Sequence, residues 1–514
     1  MLCTTRPRAW RRGTAWGEQI VAVRVLVADP LTHRCDALAV GVFAAPGRLE
    51  GVAAKIDQAL GGHLVRILTE ERFTGEVGKV LVVHTHGRLP AARIVVVGLG
   101  DRDAFSQDRL RLAAGAAARA VQERRLGRLA YPPVQYRDWE PATIAALRTE
   151  GALLATYRFG KYQKERPTEV HVDLLAANRA EAAAVEAGRR RGQIVAEATN
   201  YARDLVNEPP NVLTPDALAA EARRIARNTR LKVQVWGPQD LKKHGMELTL
   251  AVGGASAHTP RFIQIEYAPP KPRRTVGLAG KGVTFDTGGV DLKTAEGMAT
   301  MKSDMAGAAA VLAAMQALPL LQASVRVIAG IAAVENAVGS RAYRPGDILR
   351  GLNGTTVEIA NTDAEGRLIL ADAVAHLAAA APDEIIDLAT LTGSASIALG
   401  PYAAALMASD QALADRLLAA AARAGERLVP FPLYDEYREA IKGDVADIKN
   451  SAGRLGGAQK GAVFIREFAG RVPWAHLDIA PVAFLDREGT NAIQPKGATG
   501  FGVRTLLEYL TART

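Results

Sequence analysis

Short valine-rich runs alternate with helical stretches from Val21 onward, and this alternation is the strongest constraint on what the chain can fold into. VAVRVLVAD, ALAVGVFA, KVLVVHTH and ARIVVVGLG read as strands. LEGVAAKIDQALGG reads as a helix closed by glycine, and DRLRLAAGAAARAVQERR as a helix with one apolar stripe. Strand–helix–strand order of this kind builds a mostly parallel sheet with helices laid on it. Residues 177–206 read as one long helix with Arg189 to Arg191 on its exposed side, broken by Asn207-Glu-Pro-Pro-Asn211. A second α/β stretch follows, with LKVQVWG, ELTLAVGGAS, TVGLAG, VRVIAGIAAV, TTVEIA and EIIDLATLTG as strands. The expected fold class is α/β in two domains, a size that 514 residues can fill. A smaller N-terminal α/β domain spans 21–176. A linker helix covers 177–206. A larger domain covers 207–514, with a central mixed sheet flanked by helices.

The composition, 48% apolar and 23% charged, excludes a mainly disordered chain. Two cysteines, Cys3 and Cys35, exclude a disulfide scaffold and a four-cysteine zinc site, and a reducing cytoplasm is the expected setting. Lysine and arginine total 64 against 54 acids, a net charge of +10. Spread over this length, the excess reads as a solvated basic surface. DNA is the competing partner, but the basic patches are not interleaved with aromatics. No run reaches the ~18 apolar residues that span a bilayer; the longest, Met305 to Met315, stops at Gln316, so no membrane is expected. Residues 1–20 carry four arginines without a following apolar core, and read as a basic leader or an over-extended start rather than a secretory signal.

Several motifs fail. Gly98-Leu-Gly100 follows a strand, but Asp103 stands where a dinucleotide loop needs its third glycine, so it reads as a tight turn. His84 and His86 have no evident third ligand and read as ordinary loop histidines. There is no His-Glu-x-x-His helix, no Gly-x-Ser-x-Gly elbow and no phosphate loop ending in Gly-Lys-Ser/Thr.

Two stretches carry chemistry. One is GKGVTFDTGGVDLK (280–293), running on to MKSDM (301–305); the other is NTDAEGRL (361–368). TVGLAG is expected to end at Lys281, with Asp286 in a glycine-flanked loop, and TTVEIA to end at Asn361, ahead of Asp363 and Glu365. Asp304 stands near the start of an apolar helix. Four carboxylates would then lie at strand ends and helix starts of one sheet, where α/β proteins bind ligands. Unopposed, they would repel; divalent cations resolve that. Helix capping explains Asp304 and Asp363 one at a time, but not the lysines, Arg367 and glycines around them.

These segments resemble the leucyl aminopeptidase family, also called cytosol aminopeptidases. NTDAEGRL matches its signature, and GKGVTFDTGG and MKSDM resemble its other metal-site segments in the same order. The resemblance extends over about 320 residues, through ARDLVNEPPNVLTP (202–215), ENAVGSRAYRPGD (335–347), DLATLTG (387–393), WAHLDIA (474–480) and KGATGFGVR (496–504). It implies a two-metal aminopeptidase that removes leucine-like N-terminal residues from peptides, with 207–514 as the catalytic domain. Asp286 and Glu365 would bridge the metals, Asp304 and Lys281 would complete the tighter site, and Asp363 the more exchangeable one. The ions would be Mn or Zn, with Mg possible in an oxygen-rich site. As a ligand, Lys281 must be neutral; without metal it should be an ammonium paired with the acids.

The resemblance further makes Lys293 the stabiliser of the oxyanion. Arg367 would hold a bicarbonate that relays the proton, and Met301, Thr390 and Gly393 would line the first side-chain pocket. It implies a homohexamer. Two departures stand out: Thr294 where the family has proline, and Asp291 where it has a small or neutral residue. Turned inward, Asp291 would pair with Lys293 and weaken it; the expectation is that it turns away.

Overall fold

The computed structural model describes residues 21–44, 49–165 and 168–512. The basic leader, Cys3 and the last two residues of the 207–514 domain lie outside them. The described chain divides into two compact units. The first comprises 21–200 with Arg487–Lys496, the second Tyr201–Asp486 with 497–512. The chain passes from one to the other within the helix Arg179–Asn207.

The first unit is a six-stranded sheet built from β1 (Val21–Val27), β2 (Ala37–Phe43), β3 (Val80–His84), β4 (Arg93–Gly100), β5 (Arg128–Tyr131) and β6 (Val170–Ala176). Their order is β1-β6-β5-β2-β4-β3, parallel except for β3, which runs antiparallel to β4. β5 and β6 escaped the sequence reading because β5 is four residues long and β6 carries His171 and Asp173. Gly98-Leu-Gly100 ends β4, and Gly100, at φ +76°, turns the chain. Buried valines of β4 face the helices Gln107–Glu123 and Pro141–Ala155 in one apolar cluster.

The second unit contains β7 (Lys232–Trp236), β8 (Arg261–Tyr267), β9 (Thr275–Asp286), β10 (Arg326–Asn336), β11 (Ile348–Arg350), β12 (Thr356–Glu358), β13 (Glu384–Ala389), β14 (Ala404–Ala408), β15 (Leu428–Pro430), β16 (Ile448–Lys449) and β17 (Trp474–Asp478). Eight of these form a mixed sheet in the order β15-β14-β17-β13-β9-β10-β8-β7. Its centre, β17-β13-β9-β10, is parallel, and antiparallel pairs flank it. The helix Ala306–Leu321 lies against Gly280 through Ala308, and the helix Gly366–Ala379 against Gly277 through Leu377. Residues 277 and 280 are an odd number apart on β9, so the two helices cover opposite faces.

Four expectations are corrected. ELTLAVGGAS is not a strand: Glu247–Val252 is a helix that buries Leu248, Thr249 and Val252 on one side. Its alternation is overridden by Asp372, which accepts from both the amide and the hydroxyl of Thr249, at 2.8 and 2.9 Å. β9 does not end at Lys281 but continues to Asp286, because β10 pairs with it that far. TTVEIA is not in the main sheet; β12 joins β11 and β16 in a separate three-stranded sheet. The helix that carries the apolar run near Met305 does not stop at Gln316 but continues to Leu321. The helical stretch Ala295–Leu321 is long and apolar enough to span a membrane by length and composition, and most of its apolar window is buried in the unit.

Beneath the parallel centre lies a buried polar contact. Asp387 on β13 accepts from the Trp474 indole N–H at 2.7 Å and meets His476 Nδ1 at 2.5 Å, all three fully buried. Burial alone would lower the His476 pKa; the Asp387 charge and hydrogen bond outweigh it and raise it. A folded pKa above the unfolded value of about 6.5 means the pair's contribution is complete below that pH and is lost as pH rises through the folded pKa. Asp387→Asn is therefore expected to lower the denaturation midpoint more at pH 6 than at pH 9. Asp387→Ala, which leaves a buried imidazole and indole N–H unpaired, should cost about 3–5 kcal/mol in chemical unfolding.

Candidate metal centre

The site is assembled from five places in the second unit. Lys281 and Asp286 stand on β9, five places apart in the strand's C-terminal half. Lys293 lies in the loop that follows, and Asp304 after the 3-10 turn Met301–Ser303. Asp363 and Glu365 precede the helix Gly366–Ala379, and Thr390 follows β13.

Lys281 is buried, and its ammonium lies 2.8 Å from Asp304 Oδ1, 2.8 Å from Glu365 Oε1 and 2.9 Å from the Thr390 carbonyl. Burial opposes its charge, but the surrounding carboxylates win and raise its pKa, so it is the paired ammonium expected of the metal-free arrangement. A Cβ on Gly366 would lie 2.4 Å from Lys281 Cε, so only glycine at the start of that helix leaves room for the lysine. Asp286, also buried, accepts from the Gly288 amide and the Asn336 side chain, each at 2.8 Å, and lies 2.9 Å from Lys293 Nζ. Lys293 also pairs with Asp363. Asp304 Oδ1 accepts from Thr390 Oγ1 at 2.7 Å, while its Oδ2 is buried without a hydrogen-bond partner. Burial pushes the Asp286, Asp304 and Asp363 carboxyls up from their ordinary range.

One carboxylate oxygen from each of Asp286, Asp363 and Glu365 lies within 4.8 Å of the others. Together with the unpartnered Asp304 Oδ2, this donor set of carboxylate oxygens and one amine suits a divalent cation. All five expected metal residues and Lys293 therefore converge. Arg367 stands apart from the lysines: its Nη1 donates to the Asn450 carbonyl at 2.9 Å and its Nε is buried without a partner. Burial lowers the pKa of Arg367 and, together with the nearby Arg367 charge, that of Lys460. Thr390 touches the cluster, Met301 is half-buried on the turn before Asp304, and Gly393 opens a helix with free space over its Cα.

Asp291 turns away from Lys293. Its Oδ2 accepts from the Thr362 amide at 2.7 Å and from the Thr362 hydroxyl at 3.2 Å, clamping the second acidic segment to the first. Thr294 caps the short helix Ala295–Met298 by accepting from the Gly297 amide at 3.2 Å. The sequence reading missed the supports. Asn336 bonds Asp286 and the Thr362 carbonyl, Tyr343 bonds the same carbonyl at 2.7 Å, and Asn450 holds the backbone at Ala360, Asn361 and Ala364. The only signal for Asn336 and Tyr343 was the segment ENAVGSRAYRPGD as a whole; Asn450 had none.

Carboxylates gathered at the carboxyl end of a parallel strand, with a buried lysine among them, form a candidate centre for divalent cations. Residues 200–507 match the catalytic domain of the cytosol aminopeptidase family, and residues 39–166 its N-terminal domain. A probable cytosol aminopeptidase of Roseiflexus castenholzii is 43% identical over 95% of this chain and 98% of its own length. One from Geobacter sulfurreducens is 42% identical over 96% and 99%. Among solved structures, the bottromycin maturation enzyme BotP in complex with Mn is 37% identical at a TM-score of 0.82, over 93% of this chain and 99% of that one. A tomato leucine aminopeptidase mutant is 31% identical at 0.86, over 96% of each. The chain belongs to the cytosol aminopeptidase family, and is a metal-dependent aminopeptidase of the leucyl aminopeptidase type.

Because Gly366 makes room for Lys281, Gly366→Ala is expected to displace the lysine without unfolding the chain. The variant should keep its far-ultraviolet dichroism but retain less metal per chain by elemental analysis, with peptidase activity reduced in step.

Proposed function

We propose that this aminopeptidase works with two divalent ions, and that Asp286, Asp304, Asp363, Glu365 and Lys281 hold them. The observation that carries the reading is the convergence of Asp286, Asp363 and Glu365 on one small volume, beside an unpartnered Asp304 oxygen. Asp286 and Glu365 would be shared between the two ions, Asp304 and a neutral Lys281 would hold one, and Asp363 would hold the other. When bound, such a pair supplies an activated water and a polarised scissile carbonyl. Manganese is favoured by the Mn complex of the bottromycin enzyme; zinc and magnesium also suit the donors.

Lys293, an ammonium between Asp286 and Asp363, donates to the oxygen that gains charge as the peptide carbonyl is attacked. Arg367 and Lys460 are buried cations, and the unpartnered Arg367 Nε leaves a donor for a planar anion such as bicarbonate, which would take up the proton. Met301, Thr390 and the open space at Gly393 receive the first side chain, favouring leucine-like residues. We read the chain as a homohexamer acting on peptides in the cytoplasm; the exposed apolar side chains of Ile397, Tyr402 and Leu455 are available to a subunit interface. DNA binding as a second activity has only the net charge behind it.

The test is release of p-nitroaniline from Leu-p-nitroanilide after chelation and again with Mn, Zn or Mg restored. Activity should vanish on chelation, return with metal and be absent in Glu365→Ala. Lys293→Ala should lower kcat about 10²–10³-fold with metal content kept. Added bicarbonate should raise kcat in the unaltered enzyme and leave Arg367→Ala unchanged; an equal response in both would remove Arg367 from that role.

A further inference from the structure

The first unit contains a cavity of about 830 Å³ that the peptidase chemistry does not use. Its place follows from the strand order. From β2 the chain leaves through the helices Gly51–Ala59 and His63–Glu70 toward β3 and β4. From β5, the neighbour of β2, it leaves through the helix Pro141–Ala155 toward β6, on the other side. Two parallel neighbours whose connections depart in opposite directions open a crevice at their carboxyl ends, where α/β sheets bind ligands. Among the described residues the cavity is lined by 39–44, 49–53 and Lys55 on the β2 side, by 132–137 after β5, by Arg102 and Phe105 after β4, and by Arg148. Gly98-Leu-Gly100 takes no part in it.

Its chemistry is uneven. Arg148 projects from the middle of the helix Pro141–Ala155, and its side chain is buried, 8% exposed. It donates to the Pro132 carbonyl at 2.7 Å, lies 5.3 Å from the Tyr131 ring and shares a hydrogen bond with Tyr136. Among the described residues no carboxylate pairs with it; Glu181 acts on it through space but is bound to the Ala177 amide at 2.7 Å. Burial depresses its pKa, the mark of a cation short of a counter-charge. A buried guanidinium without an anion is costly unless something supplies one. Lys55, Arg102 and Arg137 add exposed cations at the rim, and Glu50, the one lining carboxylate among the described residues, is held by Arg102 at 2.7 Å.

The first turn of the helix Gly51–Ala59 lines another wall; the turn itself holds no acidic residue, and its N-cap residue Glu50 makes no side-chain cap and has its carboxylate paired with Arg102. The remaining wall is aromatic: Phe43, Phe105 and Tyr136 lie with ring centres 5.1 to 6.4 Å apart.

We propose that this cavity binds a small phosphorylated ligand carrying a planar ring, of nucleotide size, with its anionic group on Arg148 and its ring against Phe43, Phe105 and Tyr136. The volume lies within the roughly 300–1,000 Å³ usual for such ligands. The inference is independent of the peptidase reading, because the lining residues belong to the first unit.

The probe is ADP, titrated calorimetrically into the full-length enzyme beside adenosine and inorganic phosphate. One ADP per chain is expected, with adenosine and phosphate each at least tenfold weaker. Arg148→Gln should weaken ADP about 10- to 100-fold while leaving Leu-p-nitroanilide turnover unchanged, which also reports an intact fold. If that variant does not fold, Tyr136→Phe and Arg102→Gln, both nearer the rim, should each weaken ADP several-fold. No ADP binding at millimolar concentration overturns the proposal. So does phosphate binding as tightly as ADP, or affinity unchanged in the folded variants. ADP binding lost in Glu365→Ala but kept in Arg148→Gln would place the nucleotide on the catalytic metals and equally overturn it.

Discussion

The rest of the catalytic architecture depends on one buried ammonium. Lys281 sits within a fully paired strand, yet its charge lies between Asp304 and Glu365, contributed by two other segments of the chain. Four carboxylates and two lysines meet here, and the excess of negative charge is confined where water cannot screen it well. Breaking a buried pair by removing one partner is far more damaging than never having built it. Lys281 therefore ties the loop before the helix Gly366–Ala379 to the turn after Met301, and Gly366 exists as glycine so that it can.

A second layer keeps the acids apart and aimed. Asn336 occupies one oxygen of Asp286 and the carbonyl of Thr362, and Asn450 holds the backbone on both sides of Asp363. Such supports fix carboxylate orientation before any cation arrives, which is how metal sites gain affinity and selectivity. The Thr390 hydroxyl has the same effect on Asp304, leaving Oδ2 as the oxygen still open.

The fold class and the convergence of the site were legible because they are written locally: valine-rich runs, helix stripes and dense charged motifs each occupy a few consecutive residues. What was not legible depends on distant partners. ELTLAV alternates like a strand, but Asp372, more than a hundred residues away, makes it a helix. The length of β9 is decided by β10, and the exclusion of β12 from the main sheet by its pairing with β11 and β16. Asn450 carried no sequence signal because an isolated asparagine after a short strand resembles any turn residue; only its four bonds to the Asn361 region reveal it.

Asp291 shows how a departure from a family's pattern can be absorbed. A carboxylate two residues from Lys293 looks like a competitor for its charge. The chain bends at Asp291 and no strand runs from it to Lys293, so the alternation that would have put both on one face does not operate. Asp291 instead accepts two hydrogen bonds from Thr362, and its own amide donates back to that hydroxyl at 3.0 Å. Charge-assisted bonds to a backbone N–H are among the stronger neutral–ionic contacts available. The acid thus works as a brace between the segment bearing Asp286 and Lys293 and the segment bearing Asp363 and Glu365, and Lys293 remains paired with Asp286 and Asp363. A residue that looks hostile to the chemistry in one dimension stabilises, in three, the loop geometry on which the chemistry relies.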